Sequence, residues 1–189
     1  MMKSSWCIAL TLSFFLFSCS SDDDQNKNVD KEFYPVIAFI RSDLDKLDSL
    51  PLAVFTHRQE GEIRDTQIIS KKSFRQSAEA YFNPDISEAH LKDKYTEKVF
   101  MDETINRITL SYDTDDESAI VKNINVLIEP TSEKVKNIYL EKRFVSGDTI
   151  YIQKMIWSSG RQIQVTTMPI IKGKSGAMIK MAYVWDTSN

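Results

Sequence analysis

The chain has 189 residues, 42% hydrophobic and 27% charged, with a formal net charge of −3. That composition belongs to a globular protein, and the slight acidic balance offers no basic face to capture nucleic acid. Both cysteines, Cys7 and Cys19, lie near the N-terminus, so everything after Cys19 lacks a thiol for catalysis, for a disulfide or for a thiolate metal site.

The first residues have the parts of an export signal. Lys3 supplies a positive start, and Cys7 to Phe17 is an apolar stretch. A membrane-spanning helix needs about 20 such residues, and this run is shorter. Ser18 is a small residue at the expected cleavage point. The segment Leu16-Phe17-Ser18-Cys19 resembles the lipobox of bacterial lipoproteins, although Phe17 is bulkier than the residue usual at that place. The resemblance implies cleavage before Cys19, which then carries a thioether-linked diacylglycerol and an amide-linked acyl chain such as palmitate. The partner it implies is membrane lipid, held through acylated Cys19. The alternative is an ordinary secretory signal in which Cys19 is incidental.

Ser20, Ser21, Asp22, Asp23 and Asp24 follow directly. They are similar to the acidic export signal of surface lipoproteins in Bacteroidota-type Gram-negative bacteria. That likeness implies an outer-membrane protein displayed on the cell surface, with the periplasmic face as the alternative. Read without it, the acidic run is a solvated linker. Cleavage after Ser18 would leave 23 basic against 27 acidic residues, and the stretch from Ser20 to Asp30 holds four Asp and one Lys. The body is therefore nearly neutral. The expected organisation is a signal peptide over 1–18, an acylated Cys and disordered acidic tether over 19–30, and a single domain over 31–189.

Phe33, Val36, Ile37, Ile40, Leu44 and Leu47 recur at intervals of three and four, which predicts an amphipathic helix ended by Pro51. Leu52–His57 and a segment through Ile63, Ile68 and Ile69 predict two short strands around a turn at Gly61. Ser70 is a candidate N-cap for a helix over Lys71–Phe82, with Phe74, Ala78 and Tyr81 on its apolar face. Asp85–Lys94 reads as a helical turn followed by a loop. Seven strands are then predicted: Tyr95–Met101, Ile105–Tyr112, Ala119–Ile128, Val135–Phe144, Thr149–Trp157, Gln162–Met168 and Ala177–Trp185. All five Pro are placed at element edges. Short turns between successive strands favour antiparallel neighbours. The expected fold class is α+β: two N-terminal helices packed on a mainly antiparallel β-meander of about six or seven strands.

No motif specifies a reaction. His57 stands near Glu60 and Glu62 but without a second His at metal spacing. His90 lies in a polar stretch with Glu88 and Asp93. Asp113, Asp115, Asp116 and Glu117 form an acidic turn without the spacing or central Gly of an EF-hand. Lys172-Gly173-Lys174-Ser175 ends like a phosphate loop, but Met168 occupies the place of its first Gly and a strand follows instead of a helix. There is no Gly-x-Ser-x-Gly elbow. Catalytic residues, metal ligands and cofactors are therefore not nominated.

Tyr151, Trp157, Tyr183 and Trp185 lie on predicted strands and are the candidate ligand-binding residues, Tyr139 being a further strand aromatic. Such rings fill cores more often than they line surfaces. The expected function is a non-catalytic, outer-membrane-anchored binding or envelope-accessory domain whose partner is an envelope protein or a hydrophobic small molecule. The alternative is a carrier or sensor of a hydrophobic ligand or lipid, with a cavity between helices and a curved sheet. A hydrolase ranks last.

Overall fold

Helical periodicity forms α1 over Val36–Ser49, which buries Val36, Ile37, Ile40, Leu44 and Leu47 together with Asp43. The computed structural model describes residues 32–185. The chain then makes a hairpin of β1, Val54–Glu60, and β2, Ile63–Ile69. Gly61 enters its tight turn with φ +59°, a left-handed conformation that glycine adopts without a Cβ clash. Helix α2, Lys71–Phe82, starts where Ser70 Oγ accepts a hydrogen bond from Ser73 N at 3.1 Å. It buries Phe74, Ala78 and Phe82. A single-turn helix α3, Ala89–Lys92, follows.

The remaining strands are β3 (Thr96–Asp102), β4 (Arg107–Asp113), β5 (Val121–Glu129), β6 (Lys134–Ser146), β7 (Thr149–Ser158), β8 (Gln162–Ile171), β9 (Lys174–Ser175) and β10 (Ile179–Val184). All ten strands belong to one sheet of order β2-β1-β10-β8-β7-β6-β5-β4-β3, with the short β9 pairing β8 off that path. Every pairing is antiparallel.

The expected α+β arrangement, two helices on six or seven meandering strands, is corrected by this topology. Among the described residues the molecule is chiefly a large ten-stranded antiparallel sheet with three short helices. Two physical reasons account for the difference. The N-terminal hairpin is no separate unit, because β1 pairs β10 in the register Thr56↔Tyr183, and local periodicity carries no information about a partner that distant. The chain after β8 also folds into two strands rather than one, because β9 turns back on Ile170 and Ile171. Pro169, expected at an edge, lies within β8. It falls between Thr167, where pairing with β10 ends, and Ile170, where pairing with β9 begins. On that side no neighbour strand needs its missing N–H.

Side chains alternate across the sheet, and among the described residues only one face is covered. Helices α1 and α2 lie over the middle of that face. Beneath them Phe74 stacks on Trp157 at 6.4 Å and 9°, touches Trp185 at 5.1 Å and meets Tyr183 at 5.3 Å. Phe82 meets Trp157 edge-on at 5.9 Å. Asp43 ties α1 to this cluster: its Oδ2 accepts from Trp157 Nε1 at 3.1 Å and from Ser159 Oγ at 2.7 Å, while Lys46 Nζ reaches Oδ1 at 3.1 Å. A buried carboxylate is tolerated only when its oxygens are satisfied in this way.

Both long helices end on a lysine from elsewhere. Lys71 Nζ donates to Leu47 O at 2.8 Å and also to Asp48 O and Leu50 O, at the end of α1. Lys142 of β6 donates to Asn83 O at 2.6 Å and Ala80 O at 3.3 Å, at the end of α2. Each ammonium sits among the carbonyls at the C-terminal end of the helix, the negative end of the dipole. Arg75 adds contacts from α2 to Asp45 and Asp48 of α1 at 2.8 and 2.6 Å.

Asp43→Ala removes three hydrogen bonds and leaves a buried indole N–H unpaired, a loss of about 1–3 kcal/mol in urea unfolding; Asp43→Asn, which keeps an acceptor, should lose less. Alkaline stability should pass through a maximum. Burial lowers the Lys142 ammonium to about 8 from its ordinary 10.5. The unfolded chain then holds a proton that the folded one has lost, so stability rises above pH 8. Burial, with the nearby Asp116 charge, raises Tyr95 from 10 to about 12; its hydroxyl donates to Val121 O at 2.8 Å. Here the folded chain keeps the proton longer, so stability falls as pH climbs from 10 towards 12. Unfolding curves across this range should lose their rising limb in Lys142→Ala and soften their falling limb in Tyr95→Phe.

Candidate functional site

Among the described residues, nothing covers the face of the sheet opposite the helices. That face carries a groove of about 410 Å³ over β2, β1, β10 and β8. The strand register builds it from two neighbouring rungs. One rung reads Arg64, Gln59, Lys180, Thr166 across the four strands, and the next reads Thr66, His57, Ala182, Gln164. Adjacent strands are about 4.8 Å apart, so each rung spans about 14 Å between its outer backbones. Ala182 is the smallest side chain of the eight, and its lack of bulk makes the floor.

His57 Nδ1 lies 3.0 Å from Thr66 Oγ1, directly across the hairpin. That contact orients the imidazole along the wall of the groove. Arg64 and Lys180 flank Gln59 on either side. Among the described residues neither has an ion-pair partner. Two unpaired cations, two carboxamides, two threonines and an imidazole thus open on one polar trough. Such a set can hold an anionic, hydrogen-bonding group; a guanidinium forks onto carboxylate or phosphate, while an ammonium binds it as a point charge. Among the described residues the His57 imidazole has no hydrogen-bond partner besides the Thr66 hydroxyl, so no third group orients it as a base.

The residues nominated from the sequence are placed elsewhere. Trp157, Tyr183 and Trp185 are buried beneath the helices, where they pack on Phe74. Tyr81 Oη and Tyr183 Oη lie 3.2 Å apart, and burial, then this hydrogen bond, raises the Tyr81 phenol far above its ordinary value. Tyr151 lies near the far end of β7, partly exposed and stacked on Phe144 at 5.3 Å and 17°. The structure therefore does not bring these four together as an open surface. Cys19 and the run Ser20, Ser21, Asp22, Asp23 and Asp24 lie outside the described residues.

His57 lines the groove, but Glu60 does not join it; Glu60 points to the other face and pairs with Arg58. His90 pairs with Glu88 at 3.5 Å on the surface. Asp113 and Asp116 of the acidic turn at 113–117 are held by side chains outside it. Asp116 accepts from Ser118 Oγ and N at 2.6 and 2.8 Å and from Lys94 Nζ at 2.9 Å. The Ser118 hydroxyl bond, with Lys94 next, holds its carboxyl well below the usual range. Among the described residues no three His, Cys, Asp or Glu side chains converge as metal ligands would.

The sequence reading missed Arg64, Lys180, Gln59, Gln164 and Ala182. Their outward parity is legible in each strand, but their assembly depends on the β1–β10 pairing. Comparison of the chain with protein-family models, with curated proteins and with solved structures finds no match.

Proposed function

We propose that the chain is a lipid-anchored, non-catalytic binding module of the outer membrane, and that its recognition surface is the polar groove on the uncovered sheet face. The observation that carries the reading is the convergence of unpaired Arg64 and Lys180 with His57, Gln59 and Gln164 over the floor at Ala182. The ligand class this chemistry suits is an extended molecule bearing carboxylate or phosphate groups. The carrier alternative requires an apolar void between helices and sheet. The ring contacts of Phe74 and Phe82 with Trp157 occupy that space, which argues for surface recognition instead. The anchor part of the proposal rests on Leu16-Phe17-Ser18-Cys19 and the acidic run behind it. Two acyl chains hold a protein on a bilayer far more firmly than one.

Calorimetric titration with short oligogalacturonate and with inorganic polyphosphate tests the groove and separates the two anion types. At least one should bind, with affinity falling as salt rises. Arg64→Ala/Lys180→Ala should weaken binding about tenfold or more, the effect of about 1.4 kcal/mol. Ala182→Phe should block the floor while leaving the melting temperature close to wild type, since the side chain points outward. Binding unchanged in both variants, or absent for both probes, would remove the reading. Cys19→Ala should move the protein from the membrane fraction to the soluble one and abolish labelling by radioactive palmitate. Persistent labelling would sink the anchor.

A further inference from the structure

Among the described residues the sheet has two open edges, β2 and β3, and β3 is the one whose sequence complements itself. An edge strand exposes unpaired N–H and C=O groups, and proteins usually protect it with proline, a bulge, inward charges or a covering element. β3 reads Thr96-Glu97-Lys98-Val99-Phe100-Met101-Asp102. It contains no proline, and its pairing with β4 runs without a bulge through all seven residues. Val99 is 66% exposed, Phe100 63% and Met101 44%. Phe100 is on the uncovered face with Lys98 and Asp102, while Val99 and Met101 are on the helix face beyond the reach of the helices.

We infer that β3 is a self-association edge: a second copy of this chain pairs its own β3 antiparallel to it about a two-fold axis and continues the sheet. A two-fold axis perpendicular to the sheet keeps each face intact, so opposed residues must share parity along the strand. Few registers then remain. Centring on Lys98 opposes two ammoniums. Centring on Val99 sets Phe100 against Lys98 and Met101 against Glu97. Centring on Met101 sets Phe100 against Asp102 and Val99 against Glu103. Centring on Phe100 alone matches every central position. Phe100 then meets its twin, Lys98 faces Asp102 twice, and Val99 faces Met101 twice on the other side. Opposite charges and apolar pairs directly across strands are the stabilising combinations, and like charges the destabilising ones. The sole mismatch, Glu97 against Glu103, falls at the solvated end.

The charged residues are available for this. Lys98 is 69% exposed and has only a 3.5 Å contact to Asp113. Asp102 uses Oδ1 to accept from Thr104 N and Ile105 N, which leaves Oδ2 to a partner. The opposite edge has no such match, because centring β2 on Thr66 sets Arg64 against Ile68. The interface is therefore closed, forming a pair of copies rather than a filament.

Charge exchange tests both the edge and the register. Two differently tagged copies of the full chain, co-expressed and extracted in detergent, should co-purify, and sedimentation should show a reversible dimer. Phe100→Lys should abolish this. Lys98→Glu opposes two carboxylates and Asp102→Lys opposes two ammoniums, so each variant alone should self-associate about tenfold or more weakly. Mixed together, Lys98→Glu of one copy and Asp102→Lys of the other restore opposite charges at both contacts and should recover wild-type association. Lys98→Glu leaves the Asp102 turn intact, and circular dichroism verifies that each variant folds. A wild-type chain that stays monomeric to sub-millimolar concentration would overturn the inference, as would single variants that dimerise like wild type or a mixture that does not recover. Titration of the groove probes on the Phe100→Lys variant keeps the two surfaces separate, since β3 lies at the other end of the sheet.

Discussion

Asp43 and Trp157 form the constraint on which the rest of this molecule depends. A single antiparallel sheet can keep water on one face only if something buries the other. Here that something is two helices, and the point where they are fastened is an indole ring with a carboxylate on its N–H. Trp157 is buried against Phe74, Phe82 and Trp185. Asp43 fixes α1 over it through Trp157 and Ser159. Lys71 and Lys142 then close the carbonyl ends of the helices, so a cap two helices wide is held at each end by a charge.

That cap is narrower than the sheet, and the consequences reach both the groove and the β3 edge. The uncovered face beneath β2, β1, β10 and β8 presents polar residues in register, with a floor at Ala182. The outermost strand, β3, is past the helices, and its apolar residues on both faces stay in water. In this reading the core supplies a rigid plate, and function belongs to the parts of the plate the helices do not cover. The groove and the β3 edge lie at opposite ends of the strand order, so a ligand and a second copy need not compete.

Part of this was legible residue by residue. Ser70 followed by an apolar stripe marks α2, and Ser70 does cap it. The stripe from Phe33 to Leu47 marks α1, but it is silent about Asp43, which looks like one more solvent-facing acid until the indole across from it is known. Trp157, Tyr183 and Trp185 stood out as aromatic residues on strands. Whether such rings meet solvent or a helix is set by which face of the sheet the helices choose, and the alternation of a strand is the same in either case. Arg64 and Lys180 attracted no notice, since 115 intervening residues separate them in the chain.

Local periodicity, turn chemistry and residue inventory were thus determined by the sequence itself: where helices and most strands begin and end, the near-neutral body, the absence of thiols after Cys19, and the lipobox-like segment around it. Each depends on neighbours within a few residues. The tertiary structure alone decided that β1 joins β10, that ten strands make one sheet, and that Trp157, Tyr183 and Trp185 face inward. Those outcomes depend on pairing between distant segments, where backbone hydrogen bonding is alike for every strand and the choice among partners is made by the burial of whole faces. The groove over Ala182 and the bare edge at Phe100 both arise from that choice.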